Sequence, residues 1–371
     1  MSRTLNIHNF KAFKDQSVEI RPLTLLSGLN GTGKSTTLQA IALLRQSMDA
    51  NGFSNIHGLL LNGELIELGV GADVLHNEHT DNDISFIVNT ADSDDYYIYE
   101  ATYSSASDVL PRKQNFRKGD PIPGLYSEGF QYLKADRISP AVHYPKSHHT
   151  ITVRKFLGVR GEYTAHYLNH YRDERVSDQV RLHPLAPTKN GLLAQVNAWL
   201  QEISPGASVN VEAVPRTDFM RVEYTYGSTA GIRGGDPFRA TNVGFGLTYS
   251  LPIIVACLAS AKGSLVLLEN PEAHLHPKGQ VAIGELIARA AAAGVQILVE
   301  THSDHVLNGI RIAVKEGLIP NTSVGLNFFS RADSSSQPLN AQPEISPTGR
   351  ISEWPEGFFD QWDKSLDRIL D

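Results

Sequence analysis

The sequence predicts an α/β chain built on a mostly parallel sheet flanked by helices. Three observations carry that prediction. First, a compact apolar run, Leu23–Ser27, leads into a glycine-rich loop and then into a helical stretch from Lys34 to about Met48. Second, from Val243 onward helical and short apolar segments alternate: a helix to about Ala261, a buried strand Ser264–Leu268, a helix Pro277–Ala293, a second buried strand Gln296–Glu300 and a helix Ser303–Glu316. Strands apolar on both faces and separated by helices belong to parallel sheets. Third, 371 residues are many for one compact domain, so one large α/β domain with an insertion, or two lobes, is expected.

The other elements are weaker in pattern. Residues 3–9 and 16–20 read as short strands around a turn. Between residues 50 and 240 lie strand-like stretches at Ile84–Thr90, Tyr96–Tyr103, Val209–Val214 and Arg221–Tyr226, and a helix at Leu192–Ile203. Pro and Gly punctuate Pro111–Pro145, which is read as mostly loop. Ser334–Pro347 reads as a polar linker or turn.

Composition narrows the class. A hydrophobic fraction of 41% with 20% charged residues is that of a globular chain. The longest apolar run, Leu251–Ala261, is too short to span a bilayer, and the opening MSRTLNIHNF has no apolar signal core. A cytoplasmic protein with no membrane partner is expected. The net charge of −7 does not mark a nucleic-acid binder. The basic clusters Arg112, Lys113, Arg117, Lys118 and Arg172 with Arg175 are read as solvated surface, with DNA or RNA left open as a partner. Cys257, the one cysteine, can form no internal disulfide and is read as a small buried hydrophobe. His148-His149 lacks matched ligands nearby and is read as loop.

Four segments carry chemistry. Gly28-Leu29-Asn30-Gly31-Thr32-Gly33-Lys34-Ser35-Thr36 fits G-x-x-x-x-G-K-[ST] between a strand and a helix. Its glycines let main-chain N–H groups turn inward around phosphate oxygens, and the helix N-terminus adds a positive dipole. Lys34 is placed to reach the β- and γ-phosphates of ATP, and Ser35 to offer a hydroxyl to Mg²⁺. The buried run Leu265–Leu268 ends in Glu269, followed by Asn270, Pro271 and Glu272, as a strand holding the Mg²⁺ water shell must. Gln296–Glu300 delivers Thr301, His302 and Ser303 at a strand's C-terminal end, where α/β ligand sites lie. There His302 can bond a γ-phosphate, or Thr301 or Ser303 can simply cap a helix. Finally, Gly244 and Gly246 open a helix 210 residues after Lys34. One nucleotide does not need two such termini from one subunit, but a dimer in which each copy offers one to the other's ATP does.

Together, in this order, the four segments resemble Walker A, signature, Walker B and switch histidine of the ABC ATPases. Within that superfamily NPEAHLHP, ETHSD and NVGFGLTYSLPI are similar to the SMC/RecF/OLD-like branch of stand-alone prokaryotic ATPases. ISEWPEGFFDQW, LIELGVGADVLH, YLKADRISP and GEYTAHYL resemble an AAA-type subgroup with a C-terminal domain of unknown function. The resemblance implies an ABC ATPase head: residues 1–50 and 240–330 as nucleotide-binding core, 51–239 as an antiparallel β subdomain with an inserted region, and 331–371 as a C-terminal tail. It implies ATP bound by Asn30, Gly31, Thr32, Gly33, Lys34, Ser35 and Thr36, Mg²⁺ held by Ser35 and Glu269, and His302 as the switch. Gly244 and Gly246 would serve the γ-phosphate held by a second copy. A glutamine-bearing loop is expected near Glu67–Gly69, where no clear glutamine occurs.

One departure bears on rate. The usual catalytic glutamate position is Asn270, and an amide cannot take a proton from attacking water. Glu272 or Glu269 would be the base, and hydrolysis is expected to be slow. Members of the branch often accompany nucleases or toxic effectors in bacterial anti-phage systems. The 69 residues after His302 contain no D-x-D cluster, and no E-x-K triplet occurs anywhere. The expectation is therefore a defence ATPase controlling a partner effector encoded nearby. The alternative is a RecF/SMC-like DNA-repair or DNA-clamping ATPase.

Overall fold

The computed structural model describes residues 3–53, 58–79, 81–90, 94–118, 122–227, 236–331 and 337–370. Its contacts divide the chain into two compact units. The first holds Met1–Tyr126, Leu298–His302 and Asn321–Asp371, and the second holds Ser127–Ile297 and Ser303–Pro320.

The first unit contains a six-stranded antiparallel sheet. Its order is Phe13–Ile20, Arg3–Phe10, Asp83–Thr90, Tyr96–Thr102, Val109–Lys118, Gly58–Leu60. Alternation at period two sends Leu5, Ile7, Val18, Ile84, Phe86, Val88, Tyr97 and Tyr99 into the core. Register then stacks them across strands: Leu5 lies between Val18 and Val88, and Phe86 between Ile7 and Tyr99. Val109–Lys118 is a strand of 10 residues at the start of the stretch read as mostly loop; among the described residues the rest of Pro111–Pro145 is loop apart from Gln131–Leu133 and Tyr144–Pro145. Beyond Leu110 every side chain on it is exposed, so it has no apolar alternation to read. Among the described residues it pairs past Pro111 with Tyr96–Thr102, and its side chains there are mostly charged or polar. Lys113 there bonds Asp83 and Glu100 at 2.5 and 3.0 Å.

The same unit carries the parallel strands that position the glycine loop. Leu23–Gly28 runs parallel to Val324–Ser330, with Leu25 opposite Leu326 and Gly28 opposite Phe329. Thr301 N–H donates to Leu26 O at 3.1 Å, which brings the end of the strand Gln296–Glu300 beside Leu23–Gly28. Part of the expected linker at 334–347 lies outside the described residues. Within the rest, Leu339–Ala341 is a short strand antiparallel to Val324–Ser330. The C-terminal segment is anchored by aromatics: the buried Phe358 meets Phe328 edge-on at 5.3 Å, and Trp354 lies 5.4 Å from Phe358.

The second unit is helix-rich. Phe245–Ala259 is buried on nearly all sides, through Leu247, Leu251, Ile253, Ile254, Val255 and Leu258. Cys257 is one of these core residues, and burial pushes its thiol up to about 12. Pro277–Ala292 and Asp304–Lys315 pack closely because Gly284 and Gly309 lie at their contact. A Cβ at either would stand 2.3 or 2.2 Å from a carbonyl oxygen of the other helix. An antiparallel sheet joins Ala207–Ala213, Phe219–Tyr226 and Phe238–Arg239, with Tyr144–Pro145 also on Phe219–Tyr226. Leu265–Glu269 pairs in parallel with Gln131–Leu133. His148 and His149, read as loop, open a short helix, His148–Thr152, because Ser147 Oγ accepts from Thr150 N–H. Among the described residues no helix is long and apolar enough to cross a membrane.

Candidate nucleotide-binding site

In the first unit the loop after Leu23–Gly28 has the backbone its glycines predict. Gly28 and Gly33 have φ of 136° and 110°, a region other residues rarely enter. Space demands glycine as well. A Cβ on Gly28 would stand 2.0 Å from Phe329 O, and one on Gly33 2.2 Å from the Phe13 ring. The helix Lys34–Phe53 then starts with Thr37 N–H donating to Gly33 O at 3.1 Å. Its first turn contains no acidic residue of its own.

Lys34 is buried and folded back onto the loop, donating to Gly28 O at 3.0 Å and Leu29 O at 2.7 Å. Burial lowers its pKa and the nearby Glu300 carboxylate partly offsets this. Ser35 Oγ donates to Glu300 Oε1 at 2.9 Å. Thr32 Oγ donates to Leu29 O at 2.7 Å. Asn30 and Gly31 are exposed, and Thr36 is buried in the helix. A cavity of about 360 Å³ opens against Gly31, Gly33, Lys34, Ser35 and Thr36, with Lys11 and Asp73 on its wall. Lys11 donates to Gln39 at 2.7 Å, and burial lowers its pKa. Two lysines, an inward-turned glycine loop and a helix N-terminus thus line one cavity, and these are the groups that favour an anion. His302 is exposed at the end of the same strand as Glu300, between buried Thr301 and Ser303. The capping alternative holds for Ser303, whose Oγ accepts from Val306 N–H at 3.1 Å.

In the second unit, Glu269 ends the buried strand Leu265–Glu269. Its carboxylate accepts from the Tyr132 hydroxyl and from Ala135 N–H, the latter at 3.0 Å. Arg137 is almost wholly buried beneath the following loop. Its guanidinium donates to Glu269 O at 2.7 Å, Asn270 O at 2.6 Å and Lys134 O at 3.0 Å. Burial lowers the Arg137 pKa to about 10, against the pull of Glu272, Tyr249 and Glu269. Asn270 has φ of 43° and reaches Glu272 with its amide at 3.5 Å. Gly244 is the exposed N-cap of Phe245–Ala259, with no side-chain cap. Gly246 is pressed against the Glu269 loop: a Cβ there would stand 2.7 Å from His274 O. Phe245 and Tyr249 stack on the His274 ring at 5.4 and 4.7 Å. Glycine helix start and carboxylate loop are thus one packed cluster.

Sequence reasoning picked out the loop residues, Glu269, Glu272, His302 and the two glycines. It assigned no role to Glu300, Lys11 or Arg137. A charged residue closing an otherwise apolar buried strand was the available signal for Glu300. Among the described residues no cluster of three His, Cys, Asp or Glu side chains suits a metal ion on its own.

Comparison with known proteins agrees with this geometry. Residues 1–158 match the family described as "AAA ATPase domain". Residues 166–308 match "AAA domain, putative AbiEii toxin, Type IV TA system", and residues 319–369 match "Protein of unknown function (DUF3696)". An "OLD nuclease" of Thermus scotoductus is 23% identical over 326 residues, covering 82% of this chain. The chain spans 59% of that relative's length. Two solved structures share the fold. An SMC head bound to the C-winged helix domain of ScpA has a TM-score of 0.52 at 15% identity, over 91% of this chain and 97% of that one. An SMC head with an extended coiled coil, bound to the C-terminal domain of ScpA derived from Pyrococcus furiosus, has a TM-score of 0.50 at 14% identity, over 100% of both chains. Fold, loop and family matches define an ATPase of the AAA/SMC-like type. The chain thus resembles AAA-type ATPase domains and an OLD nuclease in sequence, and SMC heads in fold.

Proposed function

We propose that this chain binds ATP with Mg²⁺ at Asn30–Thr36, closes on a second copy of itself around the nucleotide, hydrolyses it slowly, and so switches a partner effector in bacterial anti-phage defence. The observation that carries the reading is the loop itself, with Lys34 and Ser35 held at the mouth of a glycine cradle that a Cβ at Gly28 or Gly33 would fill. Lys34 exchanges its two loop carbonyls for phosphate oxygens when nucleotide enters. Ser35 and Glu269 would hold Mg²⁺ and its water shell, and the bound cation supplies neutralisation of phosphate charge. Water attacks the γ-phosphorus, the bond to the bridging oxygen breaks, and ADP leaves. Glu269 already accepts two hydrogen bonds, so the proton of that water is assigned to Glu272. His302 bonds the γ-phosphate, and Gly244 and Gly246 present their helix terminus to the nucleotide of the other copy.

The effector reading draws support from two names: the nuclease to which the chain is similar, and the toxin in one family description. A nuclease or toxin encoded nearby is the expected partner, in the cytoplasm. Solution mass, with and without Mg-ATP, tests the switch. Wild type should double in mass and Lys34→Ala should not, whereas a monomer throughout would remove the shared site. A steady-state turnover of tens per second by the isolated protein would overturn the slow switch. The second reading, a DNA-clamping ATPase of RecF/SMC type, is favoured by the exposed Arg112, Lys113, Arg117 and Lys118 on one edge strand. Salt-dependent DNA binding by the lone protein would select it.

A further inference from the structure

We infer that Glu300 is the positioning residue that turns Ser35 toward Mg²⁺, a role that rests on the ATP-site reading above. A hydroxyl has one proton and two lone pairs. For Ser35 to present lone pairs to a cation, its proton must be donated elsewhere. Here it goes to Glu300 Oε1 at 2.9 Å. The acceptor is not a surface side chain that drifts into reach. Gln296–Glu300 is buried at all five positions, and its continuation is tied to the strand before the loop by Thr301 N–H to Leu26 O. The carboxylate is thereby in register with the first turn of the helix Lys34–Phe53. Burying a carboxylate is costly unless something compensates. The Ser35 hydroxyl and the Lys34 ammonium, whose pKa it helps to hold up, are compensating groups. An outer partner that orients a ligand in this way typically accounts for about 10- to 100-fold in metal affinity.

The arrangement also divides labour between two glutamates. Glu269 receives the Tyr132 hydroxyl and the Ala135 N–H within the second unit, while Glu300 receives the P-loop hydroxyl within the first. Glu300 is thus the carboxylate whose hydrogen bond already involves an expected metal ligand.

The test is binding of a fluorescent ATP analogue, mant-ATP, to the full chain in MgCl₂ and in EDTA. The ratio of the two Kd values measures the gain from metal. Glu300→Gln keeps an acceptor and loses the charge, so the ratio should fall about 10-fold. Glu300→Met loses both, and the ratio should fall about 100-fold. Affinity in EDTA should stay within about 3-fold of wild type in each, because the loop amides and Lys34 are untouched. Ratios that stay at the wild-type value overturn the inference. So do variants that lose affinity equally with and without metal, which is what a merely structural residue would do. If Glu300→Met melts early by circular dichroism, the isosteric Glu300→Gln decides alone. Failure of the ATP-site reading looks different: wild type would bind no mant-ATP, or Lys34→Ala would bind it as wild type does.

Discussion

Leu265–Glu269 and Gln296–Glu300 are written alike, as five-residue strands with apolar interiors and a glutamate at the C-terminal end. They end in opposite circumstances. Glu300 receives the Ser35 side-chain hydroxyl that follows the glycine loop. The Glu269 carboxylate is gripped by a tyrosine and a main-chain amide, and the main-chain carbonyls of Glu269 and Asn270 are gripped by Arg137. A strand delivers a carboxylate to the rim of a sheet, but residues far away in sequence decide whether it stays available or becomes part of the scaffold. In the first unit the bonds at the glycine loop are made by the Lys34 and Ser35 side chains, whereas in the second the Glu269 loop is held through its main chain as well.

The largest effect should come from the first unit. Lys34→Ala removes an ammonium that would make charge-assisted bonds to two phosphates. Nucleotide affinity should drop by at least about 100-fold, with little change in melting temperature. Mant-ATP titration and a thermal melt on the same sample check both halves. A large loss of stability instead would mean that Lys34 is structural, and the contrast with the second unit would collapse.

Next in size is Arg137→Ala. It deletes a buried guanidinium and takes a donor from the carbonyls of Lys134, Glu269 and Asn270, of which Asn270 O keeps Ala273 N–H. About 3–5 kcal/mol of stability should be lost, read by urea denaturation at neutral pH. Arg137→Lys should recover only part of it, because an ammonium cannot fork across two carbonyls as a guanidinium does. A change below about 1 kcal/mol would show that the Glu269 loop is not held from beneath.

What the sequence reveals follows the distance over which each feature is made. The glycine loop is legible because spacing alone encodes it: each glycine has a local conformation to adopt. Leu23–Gly28 and Gln296–Glu300 beside it are legible as short, mostly apolar runs, whereas Val324–Ser330, interrupted by Asn327, goes unread. The bond from Ser35 to Glu300 spans 265 positions and that from Tyr132 to Glu269 spans 137. No local pattern encodes either, and a lone acid ending an apolar run is the only trace. Val109–Lys118 hides for a different reason, since an edge strand with exposed side chains has no apolar period. The helix at His148 was readable in principle from Ser147 and Thr150, whose bond forms its cap.

A smaller effect concerns Asn270, in the second unit. The resemblance treats this position as a lost catalytic glutamate, but its φ of 43° supplies a conformational reason for asparagine, which tolerates the left-handed region better than most residues. Asn270→Ala should cost about 1 kcal/mol and Asn270→Gly close to nothing. The opposite order in urea denaturation would point to the side chain, not the backbone, as the reason for asparagine.

The smallest effect should separate the two units by pH. In the first, His8 sits between two carboxylates, with Nδ1 2.5 Å from Asp15 and Nε2 3.2 Å from Asp81. Burial pulls the His8 pKa down, yet the bonds to Asp15 and Asp81 outweigh it and leave the pKa above 6.5. A raised folded-state pKa means that the charged cluster stabilises fully below pH 6.5 and that this contribution is lost as pH rises through the folded value. Between pH 6 and pH 8 wild type should lose up to about 1 kcal/mol more stability than His8→Asn, given that the cluster is partly exposed. Parallel urea midpoints for the two proteins across that range would show that His8 is not what makes the first unit sensitive to pH. Arg137, still charged well above pH 8, leaves the hold on the Glu269 loop unchanged over the same interval.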